Sequence, residues 1–212
     1  MTPRPKAILF DWDNTLVDTW PTIVECYHQT FTALGQRPWT AQEVQDRAHG
    51  SLRDVFPKLF GARAGDAERI YFDAFLRVHL ERLAPLPGAP ELLARAVEAG
   101  CYVAVVSNKT GQHLRTELAH LGWERWIKRA VGAKDCVRDK PAPDPILRAL
   151  DGTGIAPAEA WMVGDTRADL ECAHAAGCVP VLLGGPDQLS AAFLEFPPRL
   201  RARNCHALAA LL

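Results

Sequence analysis

The chain has 212 residues, 48% of them hydrophobic, and 24 basic against 25 acidic side chains for a formal charge of −1. That length holds a substantial core in one domain with room for a smaller subdomain. The even charge balance offers no basic face for nucleic acid, and no stretch approaches the ~20 apolar residues of a membrane span.

Six cysteines are scattered without a C-x-x-C pair. The apolar run behind Arg4 and Lys6 is too short for a signal peptide. Both features lead us to expect reduced thiols and a cytoplasmic location. The seven histidines show no metal spacing and are expected on surfaces or helices.

In chain order, the run Ala7-Ile8-Leu9-Phe10 ends in two carboxylates, Asp11 and Asp13. A short apolar run bounded by charge predicts a buried strand of a parallel sheet. Ligands of such sheets sit beyond the carboxyl ends of the strands. Two like charges this close need a cation or a shared proton. Asp-x-Asp there points to a divalent metal, a carboxylate nucleophile, or both.

Residues 18–85 are expected to be wholly helical. Pro21 suits the first turn of a helix that stops at Gly35. Thr40 and Glu43 form a capping box for a helix over 41–48. Ser51 caps the next helix, where Leu52, Val55, Phe56, Leu59 and Phe60 fall at helical spacing. Asp66 caps a longer one, with a stripe of Ile70, Tyr71, Ala74, Phe75, Val78 and Leu83. Pro85-Leu86-Pro87-Gly88 then breaks the pattern.

From residue 89 helices and strands alternate. Helices are predicted over 89–99, 112–121 and 167–176, closed by Gly100, Gly122 and Gly177; another opens at 141–145 and ends near Gly152. Strands are predicted over 101–106, 127–132, 160–163 and 179–183. This rhythm means a doubly wound parallel sheet. The tail, 197–212, is expected to hold a strand near 200–203 and a terminal helix.

Three more polar groups sit at strand ends. Ser107 and Asn108 can donate to an anionic oxygen, or cap a helix. Lys140 lies between Asp139 and a proline-rich turn, where its charge could neutralise a phosphate or space carboxylates; alone, it also reads as a solvated lysine. Asp165 follows a strand and is an ordinary N-cap candidate. Asp169 stands four residues on, along the same helix face. With Asp11 and Asp13 they could close an oxygen-rich magnesium site.

Together these stretches resemble the haloacid dehalogenase-like hydrolase superfamily, in its phosphatase branch and near its phosphoglycolate phosphatase group. Its first motif stands as Asp11-Trp12-Asp13-Asn14-Thr15 and its second as Val105-Val106-Ser107-Asn108-Lys109. The third is Lys140-Pro141 and the fourth Gly164-Asp165-Thr166-x-x-Asp169. All four appear in order across nearly the whole chain. The resemblance implies a Rossmann-like α/β core, residues 1–17 and 86–212, with a helical cap, 18–85, inserted after the first strand.

It implies a magnesium-dependent phosphomonoester hydrolase of a small phosphorylated metabolite, monomeric or homodimeric. Asp11 would be the nucleophile and Asp13 the acid–base. Thr15, Ser107, Asn108 and Lys140 would serve the phosphate site, Thr15 chiefly as a positioning group. The metal set would be Asp11, Asp13 through its backbone carbonyl, Asp165 and Asp169. Asp169 would ligate through water or orient Lys140. Asn108 and Lys109 would face the substrate or merely cap. Asp13 argues against the dehalogenase branch, which lacks that acid. A sugar phosphomutase or a non-catalytic phosphate-binding module are the alternatives. In the cap, residues 49–53 form the specificity segment, with Arg53 on a substrate carboxylate or in an ordinary interhelical loop.

Overall fold

The computed structural model describes residues 4–48, 50–184 and 191–212. The elements run β1 (Ala7–Phe10), β2 (Val17–Asp18), α1 (Trp20–Ala33), α2 (Ala41–Arg47), α3 (Leu52–Phe60), α4 (Ala64–Val78), β3 (Ala84–Pro85), α5 (Ala89–Glu98), β4 (Tyr102–Thr110), α6 (Gly111–His120), β5 (Arg129–Ala133), α7 (Asp144–Leu150), β6 (Ala160–Gly164), α8 (Arg167–Ala176), β7 (Val179–Leu183), α9 (Ala191–Leu194), β8 (Leu200–Ala202) and α10 (Cys205–Ala209). They divide into two compact units, Met1–Val17 with Pro85–Leu212, and Asp18–Ala84.

The larger unit is built on a six-stranded sheet of order β5-β4-β1-β6-β7-β8. Every strand pair in it is parallel, with Phe10 level with Val105 on one side and Val163 on the other. β1 lies inside the sheet, and all four of its residues are fully buried. That is why the run is apolar throughout rather than alternating. On one face Leu9, Ala104, Val106, Ile146, Met162 and Cys172 pack into a single apolar layer. The parallel α/β sheet expected from the alternating pattern is what the chain adopts, in the Rossmann-like form that the resemblance implies.

The helical unit packs around aromatic rings. Tyr27 stacks on Phe31 and Trp39 and meets Phe56 and Tyr71 edge-on. The capping box on α2 forms as the sequence indicates: Thr40 Oγ1 accepts from the Glu43 amide, and the Glu43 carboxylate accepts from the Thr40 amide.

Some local expectations change. Asp66 lies in the first turn of α4 rather than at its cap, because a 3₁₀ turn over Gly61–Arg63 leads directly into the helix. Ser51 occupies the N-cap of α3, but its hydroxyl donates to Asp54 instead of capping an amide. His79 is buried, stacked on the Phe75 ring 4.2 Å away, so one expected surface or helix histidine is a core group. β4 runs on through Thr110 with a register shift after Val106, so Ser107 to Lys109 lie within the strand rather than beyond it. All six cysteines are free thiols. Among the described residues no helix is long and apolar enough to cross a membrane.

Candidate active site

The site is assembled where parallel strands end. β1 delivers Asp11, whose amide is tied to the Val163 carbonyl of the neighbouring strand at 2.8 Å. The backbone then turns sharply through Asn14, at φ 61°. Asparagine tolerates that left-handed conformation better than most residues. The turn carries Asp13 and Thr15 back beside the strand end, with Asp13 bridged to Val17. β4 supplies Ser107, Asn108 and Lys109, the segment after β5 supplies Lys140, and β6 supplies Asp165.

Lys140 is the hub. Its Nζ donates to Asp11 Oδ1 at 2.6 Å, to Asp169 Oδ1 at 2.6 Å and to the Val106 carbonyl at 2.8 Å. An ammonium has three donors, and all three are used, in a residue only 3% exposed. Asp169 Oδ2 takes the Thr166 amide at 3.0 Å and its hydroxyl at 2.6 Å. Both Asp169 oxygens are therefore engaged, and the residue caps α8 while orienting Lys140. A Cβ on Gly164 would collide with the Asp169 side chain, so glycine there makes the room that Asp169 occupies.

Thr15 is fully buried and its hydroxyl donates to Asp165 Oδ1 at 3.0 Å. Ser107 Oγ accepts from the Lys109 amide at 3.1 Å. Asn108 Nδ2 donates to the Lys140 carbonyl at 3.0 Å; its Oδ1 is buried without a hydrogen-bond partner. Lys109 is an ion-pair centre, with Nζ 2.7 Å from Asp13 and 2.6 Å from Glu117. Arg53 stands partly buried near the start of α3 in the helical unit, and His49 of that segment lies outside the described residues.

Oxygens of Asp11, Asp165 and Asp169 all lie within 4.8 Å of one another. Three carboxylates thus face one ammonium, which leaves excess negative charge in a buried place. The proton affinities register the strain. Burial, reinforced by Asp169 and Asp13 and opposed by Lys140, pushes the Asp11 carboxyl up to about 7. Burial, with Asp11 and Asp169 adding to it, likewise raises Asp165 well above the usual carboxylate range. Burial disfavours the charged form of Lys140, but Asp11 and Asp169 outweigh it and hold the ammonium protonated.

Two participants were not singled out for the site from sequence: Glu117 and the indole of Trp12 as a hydrogen-bond donor. Glu117 carried a legible signal. It stands between Leu114 and Leu118 at the spacing of the buried face of α6, where an apolar residue belongs.

A parallel Rossmann-like sheet gathers an Asp-x-Asp turn after an inner strand, a buried lysine and a second acidic pair, a set of groups suited to hydrolytic chemistry. The chain belongs to the haloacid dehalogenase-like hydrolase family, which it matches over residues 8–182. It is similar to N-acetylmuramic acid 6-phosphate phosphatase of Pseudomonas aeruginosa, 33% identical over 82% of this chain and 79% of that one. It is similar also to phosphoglycolate phosphatase of Xanthomonas campestris, 28% identical over 92% of this chain and 95% of that one. Its fold matches a haloacid dehalogenase-like family hydrolase from Streptococcus pneumoniae with a TM-score of 0.85 and 22% identity, covering 98% of each chain.

Proposed function

We propose that the chain hydrolyses a phosphate monoester of a small organic acid through an aspartyl-phosphate on Asp11, with Asp13 as the acid–base. The chain is a phosphoric monoester hydrolase of its family. The observation that carries the mechanism is the Asp11 carboxylate, buried at a strand end and held by Lys140 at 2.6 Å, with a second carboxylate two residues on. Both phosphatases named above act on a phosphate ester of an organic acid, which supports that substrate class, phosphoglycolate included.

In the first step an Asp11 oxygen attacks phosphorus. The phosphorus–oxygen ester bond breaks, its electron pair goes to the leaving oxygen, and Asp13 supplies the proton. In the second step water attacks the phosphorus, Asp13 takes the water proton, and the Asp11–phosphorus bond breaks. Splitting one displacement into two is the advantage of a carboxylate nucleophile, and a positioned proton donor and acceptor adds ~10²–10⁴-fold. Lys140 and Ser107 offset phosphoryl charge, and Thr15 holds Asp165 in place.

The oxygen-only donor set and the excess negative charge suit a hard divalent cation such as Mg2+. Asp11, Asp165 and the Asp13 carbonyl would hold it, with Asp169 acting mainly on Lys140. When bound it would shield phosphoryl charge from the nucleophile. The six free thiols, which suit a reducing compartment, support a cytoplasmic place of action.

The test is phosphate release from a panel of small alkyl and aryl esters, with magnesium and with chelator, for wild type and Asp11→Asn. Magnesium-dependent release that falls by on the order of 10⁴-fold or more in the variant is expected. Release that survives Asp11→Asn overturns the mechanism. In the same panel, Arg53→Ala is expected to lower kcat/KM for carboxylate-bearing esters only; an unchanged constant for all of them removes Arg53 from the reading.

A further inference from the structure

Glu117 is a buried carboxylate that the mechanism above does not use. It is 1% exposed and lies on the face of α6 that also buries Leu114 and Leu118. An ionised group in such a position is costly unless it is fully paired. Its pairing is specific. Glu117 Oε2 accepts from the Trp12 indole at 2.7 Å and from Lys109 Nζ at 2.6 Å. The same ammonium reaches Asp13 Oδ1 at 2.7 Å. Trp12 is fully buried and meets the Trp123 ring edge-on, with centroids 5.5 Å apart.

The connections close a ring. Trp12 is bonded covalently to Asp13, Asp13 pairs with Lys109, Lys109 with Glu117, and Glu117 holds Trp12. One carboxylate on α6 thereby fixes both the backbone on one side of Asp13 and the cation on its side chain. Asp13 keeps 21% of its side chain exposed while Lys109 is 8% exposed, so the reacting group faces outward and its support faces inward. An apolar residue at 117 would serve the packing of α6 equally well.

We infer that Glu117 is a positioning residue for the acid–base step, acting through Lys109 and Trp12 to hold the Asp13 carboxyl in its working orientation. The inference rests on the reading of Asp13 as that acid–base. It predicts a dependence on the leaving group. An alkyl ester needs a proton on its departing oxygen, whereas p-nitrophenyl phosphate leaves without one. Since kcat/KM reports the steps up to departure of the alcohol, misplacing Asp13 penalises the alkyl ester selectively.

The experiment measures kcat/KM for p-nitrophenyl phosphate and for the alkyl phosphate that wild type hydrolyses fastest. It is done on the full chain with magnesium, for wild type, Glu117→Gln, Asp13→Asn and the double variant. Glu117→Gln is expected to lose at least roughly tenfold more on the alkyl ester than on the aryl one, a fraction of the full acid–base contribution. Asp13→Asn should show the same asymmetry more strongly, and Glu117→Gln should add nothing to it. Equal losses on both esters, or none, overturn the positioning role while leaving Asp13 in place. Wild-type alkyl turnover in Asp13→Asn overturns the acid–base reading itself, and the inference with it. Should Glu117→Gln not fold, Lys109→Met carries the same comparison, with Lys109→Arg restoring the alkyl rate.

Discussion

The two units of the molecule bury different things. The sheet unit buries ionisable groups: Asp11, Glu117, Asp139, Lys140 and Asp169 are each 6% exposed or less. Among the described residues of the helical unit, no carboxylate or ammonium is buried to that degree; its interior is Tyr27, Phe31, Phe56, Phe60, Tyr71 and Phe75. Buried rings contribute packing and removal of apolar area from water. Buried charges contribute little net stability, because desolvation consumes most of what pairing returns. The difference teaches where selection for chemistry acted. A sheet that needed only to fold would have placed apolar groups at Asp11, Lys140 and Asp169.

The comparison is sharpest at Lys140 and Phe56. Lys140→Met leaves Asp11 and Asp169 facing each other without their cation. Breaking a buried pair from one side costs ~3–5 kcal/mol, and losing a preorganised donor costs ~10²–10³-fold in kcat. Urea midpoint and phosphate release are both expected to fall. Phe56→Ala opens a cavity among the rings and costs a similar ~3–5 kcal/mol. Its phosphate release per folded molecule is expected to stay near wild type. A Phe56→Ala enzyme that loses chemistry as deeply as Lys140→Met would break the division between the units.

A smaller effect concerns pH. Asp11 is pushed up to about 7 from an ordinary 3.8. The folded chain therefore binds a proton more readily than the unfolded chain between those values. By linkage, this group's contribution to stability falls as pH rises through that window and levels off above about 7. Each pKa unit is worth ~1.4 kcal/mol. A divalent cation held by Asp11 would bind the deprotonated form. The rise in Tm on adding magnesium is therefore expected to be small near pH 5 and to grow through pH 7. A magnesium shift equal at both pH values would show that Asp11 is not a ligand.

Much of the site was legible because its residues announce themselves locally. Asp11 and Asp13 interrupt an apolar strand, Lys140 precedes a proline, and Asp165 with Asp169 spans one helical turn. The sheet was legible because period and turn chemistry repeat every few residues. The buried place of His79 could have been read from the stripe Tyr71, Phe75, His79 at four-residue steps. The first turn of α4 could not, because a 3₁₀ lead-in has no strong signature of its own.

By itself, then, the sequence determined the parallel α/β core, the helices α1 to α4 that follow the first motif, the capping box at Thr40 and the identity of the acids and the lysine that gather beyond the strands. Each of these depends on neighbours within a few positions. Only the tertiary structure decided who partners whom: Thr15 with Asp165, Lys140 between Asp11 and Asp169, and the ring from Trp12 through Glu117 and Lys109 to Asp13. Trp12 and Glu117 are 105 positions apart, and no periodicity reaches across that distance. Their meeting is set by strand order, which lays β4 beside β1, and by the return of α6 against β4 and β5.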